Sequence, residues 1–300
     1  MHQDITLLLQ HICTLHDNVG EFVNRYQSQA LPNSRADMEL HSYSRPESLI
    51  TAYCQGGVLV EVAADQLMAL TKTLTEPAQA MAPWTCVRAM LESCALASWL
   101  LSPNIDAKTR VQRSLAFRYE GLSQQLKFAI VASGDKTVIT RITTRIDDVE
   151  HVALNLGFPK VLNKKNKRIG IGQEMPFITT LVQSELDEES LYRLLSAVIH
   201  AHPWALQQLS FRRINNDNYQ FVDGSDNDVK IHVLEKNLEF TSVAFLCHEA
   251  VINFIKPVWY QCQLLGWDQE DMKSFFESTF NSLGLQDEKR FWRNSDIKSG

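Results

Sequence analysis

Between Trp84 and Leu101 the chain offers water very little. Apart from Thr85, Arg88, Glu92 and two serines, every residue of WTCVRAMLESCALASWLL is apolar. A helix apolar all round belongs at the centre of a fold, so the other segments must be able to cover it. Its two charges break the run, and no other segment approaches 18 uninterrupted apolar residues, so a membrane span is not expected.

The covering segments are legible as helices. Ile5, Leu8, Leu9, Ile12, Leu15, Val19, Phe22, Val23 and Tyr26 keep helical spacing, which predicts a first helix over 4–29. Leu31–Pro46 reads as a polar connection, and a long helix follows to about Leu74. Gly56-Gly57 inside it implies close approach by a neighbouring helix, or a kink. Asp106 caps a helix reaching about Val131, and Ser133-Gly134-Asp135 turns into another that stops at Gly157 and Pro159. Residues 160–174, KVLNKKNKRIGIGQE, read as a mobile basic loop. Helices are expected over Met175–Glu185 and Glu188–Ala201. Runs at Tyr219–Val222 and Val229–Leu234 around DGSDND predict a small hairpin. A helix from about Leu238 to Leu265, kinked near Pro257, and one from Asp268 to about Leu283 complete the chain.

The fold class expected is all-α: a helical bundle with extra N- and C-terminal helices and a hairpin-like insertion near 212–235. One domain over 1–284 is expected, with its core at about 47–205, flanking helices at 4–29 and 238–283, and a polar tail at 285–300. A chain of 300 residues, 45% of them hydrophobic, can bury a substantial core. The net charge of −6 argues against a protein coated in nucleic-acid-binding surface but allows a local basic patch. Six cysteines in apolar contexts, none in a CxxC pair, read as reduced thiols. With no signal-peptide h-region after Met1–Ile5, the expected compartment is the cytoplasm.

Chemistry points to DEESLYRLLSAVIHAHPW, residues 187–204. Acids open it and Pro203 is expected to close it. At 100° per residue, Arg193, Ser196 and His200 fall within an arc of about 60° on one helix face. The R-x6-H spacing by itself is cheap. Arg35/His41 and Arg145/His151 also satisfy an R-x4-6-H pattern. The setting is more specific. Tyr192, Ser196 and His200 form a Y-x3-S-x3-H helix, and Arg88 and Glu92 form an R-x3-E pair on the apolar helix upstream. Together these resemble the HEPN superfamily, and within it a bacterial group that includes abortive-infection proteins.

The resemblance covers about residues 50–205. It implies a helical bundle and a homodimer that acts on or binds RNA or nucleotides, with a metal-independent endoribonuclease of toxin or phage-defence systems as its sharpest form. His200 would then exchange protons with the ribose and the leaving oxygen. Arg193 would oppose charge on the phosphorane, and Ser196 would orient the imidazole or bond a phosphate oxygen. Tyr192, Arg88 and Glu92 would support them. Leu194 departs from the pattern, since HEPN ribonucleases often carry Asn, Asp or His there.

The residues also admit a non-catalytic binding or scaffold module. Arg193 would then be salt-bridged to Glu92, His200 bonded to Ser196 or Tyr192, and Arg88–Glu92 would be a structural ion pair. Lys164, Lys165, Lys167 and Arg168 could contact phosphate, with backbone N–H groups near Gly170 and Gly172 approaching an anion. Glu61 and Asp65 read as salt-bridge partners. No cofactor motif is present. His248-Glu249 lacks a second zinc histidine, and His200 and His202 should point apart on a helix, so no metal is expected.

Overall fold

The computed structural model describes residues 2–282 apart from Ser133, Ser210 and the stretches 215–219, 222–228, 231–232 and 237–238. The 285–300 tail lies outside the described residues, as does the DGSDND segment apart from its flanking strands. Among the described residues the protein is an all-α helical bundle of eleven α-helices with short β-ladders.

The helix α4 (Ala82–Leu101) runs through the middle, with Pro83 in its first turn. Against it packs α3 (Pro46–Leu74), most closely where Gly56 faces Leu101. A Cβ on Gly56 would lie 2.5 Å from Leu101 side-chain atoms, so the glycine admits the neighbouring helix. The helices α1 (His2–Tyr26), α10 (Phe240–Leu265) and α11 (Gln269–Ser282) close the same core from both ends of the chain. Pro257 lies inside α10. A second apolar cluster joins α5 (Ala107–Ala132) to α6 (Lys136–Asn155) through Leu115, Leu122, Ile142 and Ile146. Asp106 and Asp135 accept bonds from Thr109 N and Thr137 N at 2.7 Å, as N-caps do.

Three expectations are corrected. Within the supposed polar connection lies α2 (Arg35–Ser42), begun by Ser34, whose hydroxyl accepts from Asp37 N. It carries one half of a buried clasp. Glu39 accepts from Arg110 Nε at 3.2 Å, from Tyr53 Oη at 2.7 Å and from Arg35 Nε at 2.9 Å. Arg110 is fully buried and donates onward to Leu100 O at 2.6 Å and Ser102 O at 3.2 Å, satisfying carbonyls orphaned at the end of α4.

The supposed basic loop is a three-stranded antiparallel sheet, β1 (Lys160–Leu162), β2 (Arg168–Ile171) and β3 (Gln173–Glu174). Asn163 and Asn166, the latter at φ 55°, make its turn. Its glycines serve the sheet. A Cβ on Gly170 would lie 2.4 Å from Gln173 O, and Gly172, at φ 70°, donates its N–H to Pro159 O at 2.8 Å.

The third correction concerns the helices around the candidate motif. After α7 (Ile178–Leu181) the chain passes through a π-turn, Val182–Leu186, before α8 (Glu189–Ile199). Pro203 does not close α8. It begins α9 (Pro203–Leu209). The hairpin expected near 212–235 is present as paired strands: β4 (Phe211–Ile214) with β7 (Val233–Lys236), and β5 (Gln220–Phe221) with β6 (Val229–Lys230).

Candidate functional site

The apolar face of α8, with Leu191, Leu195 and Val198, is buried against α4. That packing sets Tyr192 and Ser196 opposite the charges of the central helix. Arg88 Nε donates to Ser196 Oγ at 3.1 Å and Arg88 Nη2 to Tyr192 Oη at 3.0 Å. Tyr192 Oη in turn donates to Glu92 Oε1 at 2.9 Å, which also pairs with Arg88 Nη2 at 3.0 Å. The guanidinium carbon stands 5.1 Å from the Tyr192 ring centroid, a cation–π arrangement. Burial, and secondly the hydrogen bond to Glu92, push the Tyr192 hydroxyl above its ordinary pKa, which keeps it a donor. Arg88 and Glu92 retain 26% and 32% side-chain exposure, so the network reaches the surface.

Four of the six motif residues thus meet. Arg193 and His200 do not join them. Arg193 is 68% exposed and pairs with Glu189 at 2.7 Å, one turn back on its own helix, rather than with Glu92. Ser196 is committed to Arg88, not to His200. His200 is exposed at the C-cap of α8, where its backbone N–H donates to Ser196 O. The helix ends there, and Ala201 at φ 54° swings the chain so that the His202 ring stands edge-on to His200, centroids 6.3 Å apart. The two rings are neighbours, contrary to the helical extrapolation.

The basic residues divide as well. Lys164, Lys165 and Lys167 are exposed. Arg168 is held by Glu150 and lies over the Tyr119 ring at 5.3 Å, with Asp147 at 3.7 Å. Tyr119 Oη donates to Arg168 O at 3.1 Å. Lys167 and Arg168 reach the same groove as Glu92, a depression of about 830 Å3 between α5, β2 and the start of α7. Among the described residues no group of three or more His, Cys, Asp or Glu side chains is placed to hold a metal ion. No described helix is long and apolar enough to cross a membrane.

Besides the Arg110–Glu39 clasp, a second charged cluster escaped the sequence reading. Glu185, on the π-turn, faces Arg113 and Lys256, and Lys256 Nζ donates to Glu185 O. Desolvation raises the Glu185 carboxyl and lowers both cations from their ordinary values. The available signal was Lys256 itself, the one charged residue in the largely apolar stretch AVINFIKPVWY. Comparison with protein-family models, with curated proteins and with solved structures returned no match in any of the three.

Proposed function

We propose that this chain is a HEPN-like helical protein that acts on RNA as a metal-independent endoribonuclease of the cytoplasm, in a toxin or phage-defence setting. The observation that carries the reading is the division of labour on α8. Tyr192 and Ser196 are tied to Arg88 and Glu92, while Arg193 and His200 on the same helix stay open to solvent. A rigid inner face and an uncovered cation and imidazole suit a substrate as large as RNA. In the reaction His200 removes the proton of a ribose 2′-OH. The 2′ oxygen then attacks the adjacent phosphorus, and the P–O5′ bond breaks. The departing oxygen takes that proton back from the His200 imidazolium, leaving a 2′,3′-cyclic phosphate and a 5′-OH end. Arg193 opposes the charge that builds on the phosphorane oxygens. Lys164, Lys165 and Lys167 extend a cationic surface toward the backbone of the substrate.

The test is inducible expression of wild type beside His200→Ala and Arg193→Ala. Growth arrest with cleaved RNA in the wild type, reduced at least 100-fold in rate by His200→Ala, is expected. Equal growth and intact RNA in all three strains would remove the enzyme reading.

A second reading has its own support. Arg88, Glu92, Tyr192 and Ser196 bond to one another, as a structural seam does in a non-catalytic binding or scaffold module. It expects folded protein with no RNA binding at moderate salt.

A further inference from the structure

Among the described residues the fold buries its tryptophans, with one exception. Trp84, Trp99, Trp259 and Trp267 are at most 6% exposed, whereas Trp204 is 53% exposed. The backbone around Trp204 is held by a connected set of bonds. Ala201, at φ 54°, donates its N–H to Val198 O at 2.9 Å, and His202 donates its N–H to Ala197 O at 2.9 Å, the paired bonds of a Schellman motif. His202 O then accepts from Ala205 N at 3.0 Å and from Leu206 N at 3.1 Å, which starts α9. Ala205 is fully buried and Leu206 packs on the main core. One side of α9 is thus fastened down, and Trp204 stands on the side left open.

Its position gives the exposed indole a use. Trp204 follows His200 by four residues, a reach of at most about 14 Å that the turn shortens. Arg193 and His200 lie exposed on α8 and its C-cap, about 10 Å apart along the axis. A phosphate chain laid along that stripe passes His200 and leaves the helix end where Trp204 stands. The surroundings narrow what the indole can hold. Its exposed chain neighbours are His200, Ala201, His202 and Pro203, so only one alanine and one proline extend the apolar surface. That falls short of the contiguous apolar patch that marks a protein interface. A single aromatic face among imidazoles suits one flat ring with polar edges, carried on a phosphate chain. Nucleobases have that form, and they stack on such rings.

We propose that Trp204 stacks on an unpaired nucleobase of the substrate and thereby places the adjoining phosphodiester at His200. The inference rests on the reading of His200 as the group that exchanges protons with RNA, and adds the residue that selects the strand. A base inside a duplex has both faces covered by its neighbours. The site therefore takes single-stranded or looped RNA and passes over paired stretches. The contact tolerates any sequence, because every base has a face to stack.

The test uses the full chain on single-stranded RNA of mixed sequence. Once the cut is mapped, short oligonucleotides are built around it with the base deleted on one side or the other of the scissile phosphate. Trp204→Ala should lower kcat/KM on the intact oligonucleotide about tenfold, and Trp204→Phe should recover most of that loss. Deleting one of the two flanking bases should cost the wild type about as much, and cost Trp204→Ala almost nothing further. An indole that only supports the fold would lose the same factor on every substrate. That result, or equal rates for wild type and Trp204→Ala, overturns the proposal and spares cleavage by His200. Where nothing is cut, fluorescence anisotropy of a labelled single strand, beside a duplex of the same sequence, separates the two readings. Preference for the single strand that Trp204→Ala weakens keeps the base contact and removes the enzyme reading. Equal binding by wild type and Trp204→Ala, or none by either, overturns the base contact as well.

Discussion

Tyr192 holds the network between α4 and α8 through one oxygen that accepts from Arg88 and donates to Glu92. Tyr192→Phe keeps the ring under the guanidinium but removes both bonds of a buried residue. A loss of about 1–3 kcal/mol in urea unfolding is expected. Arg193→Ala should change stability by no more than about 0.5 kcal/mol, because its partner is a surface carboxylate on the same helix. That contrast reverses what a sealed Arg193–Glu92 pair would give, and denaturant melts of the two variants measure it directly. The sequence misleads at Arg193 because two acids compete for it. Glu189, at i−4, needs no tertiary structure to reach the guanidinium, and the local pair wins.

Among the elements, α3 carries the sharpest constraint. Gly56→Ala would drive a methyl group into Leu101 and should cost about 1–3 kcal/mol. Gly20→Ala, on a helix position with no atom within 4 Å of the new Cβ, should gain about 0.5–1 kcal/mol. Thermal melts of the pair separate contact from propensity. The close approach at Gly56 was legible because two adjacent glycines inside a helix cost stability, which packing against a neighbouring helix offsets. The helices around it were legible from apolar spacing. The sheet at 160–174 was not. Its strands are two to four residues long, and its cations hid a turn built on Asn163 and Asn166. Likewise α2 has a low apolar content and shows only its cap, Ser34, as a signal. Of the candidate site, the Arg88–Glu92 pair and its partner helix could be read from spacing. The side-chain partners of Arg193 and His200 depended on where α8 stops, and a left-handed residue at Ala201 is invisible to periodicity.

At the scale of the whole molecule, two apolar clusters meet at Tyr53, which packs against each. The clasp of Arg110 and Glu39 stands at that junction, its partners 71 positions apart in the chain, with Arg110 also donating to carbonyls at the end of α4 and Glu39 also accepting from Tyr53 and Arg35. A guanidinium with no exposure has no water to fall back on, so the clasp contributes only when α2, α4 and α5 have all arrived. Time is therefore where its removal registers. Arg110→Met should leave the refolding rate within about twofold of wild type while unfolding accelerates by a factor of at least about 100, as expected of contacts absent from the transition state. A chevron plot with both arms measured decides it. What holds the junction is then a lock on leaving the native state, and the lifetime of the folded chain is set by one carboxylate and the arginine it faces.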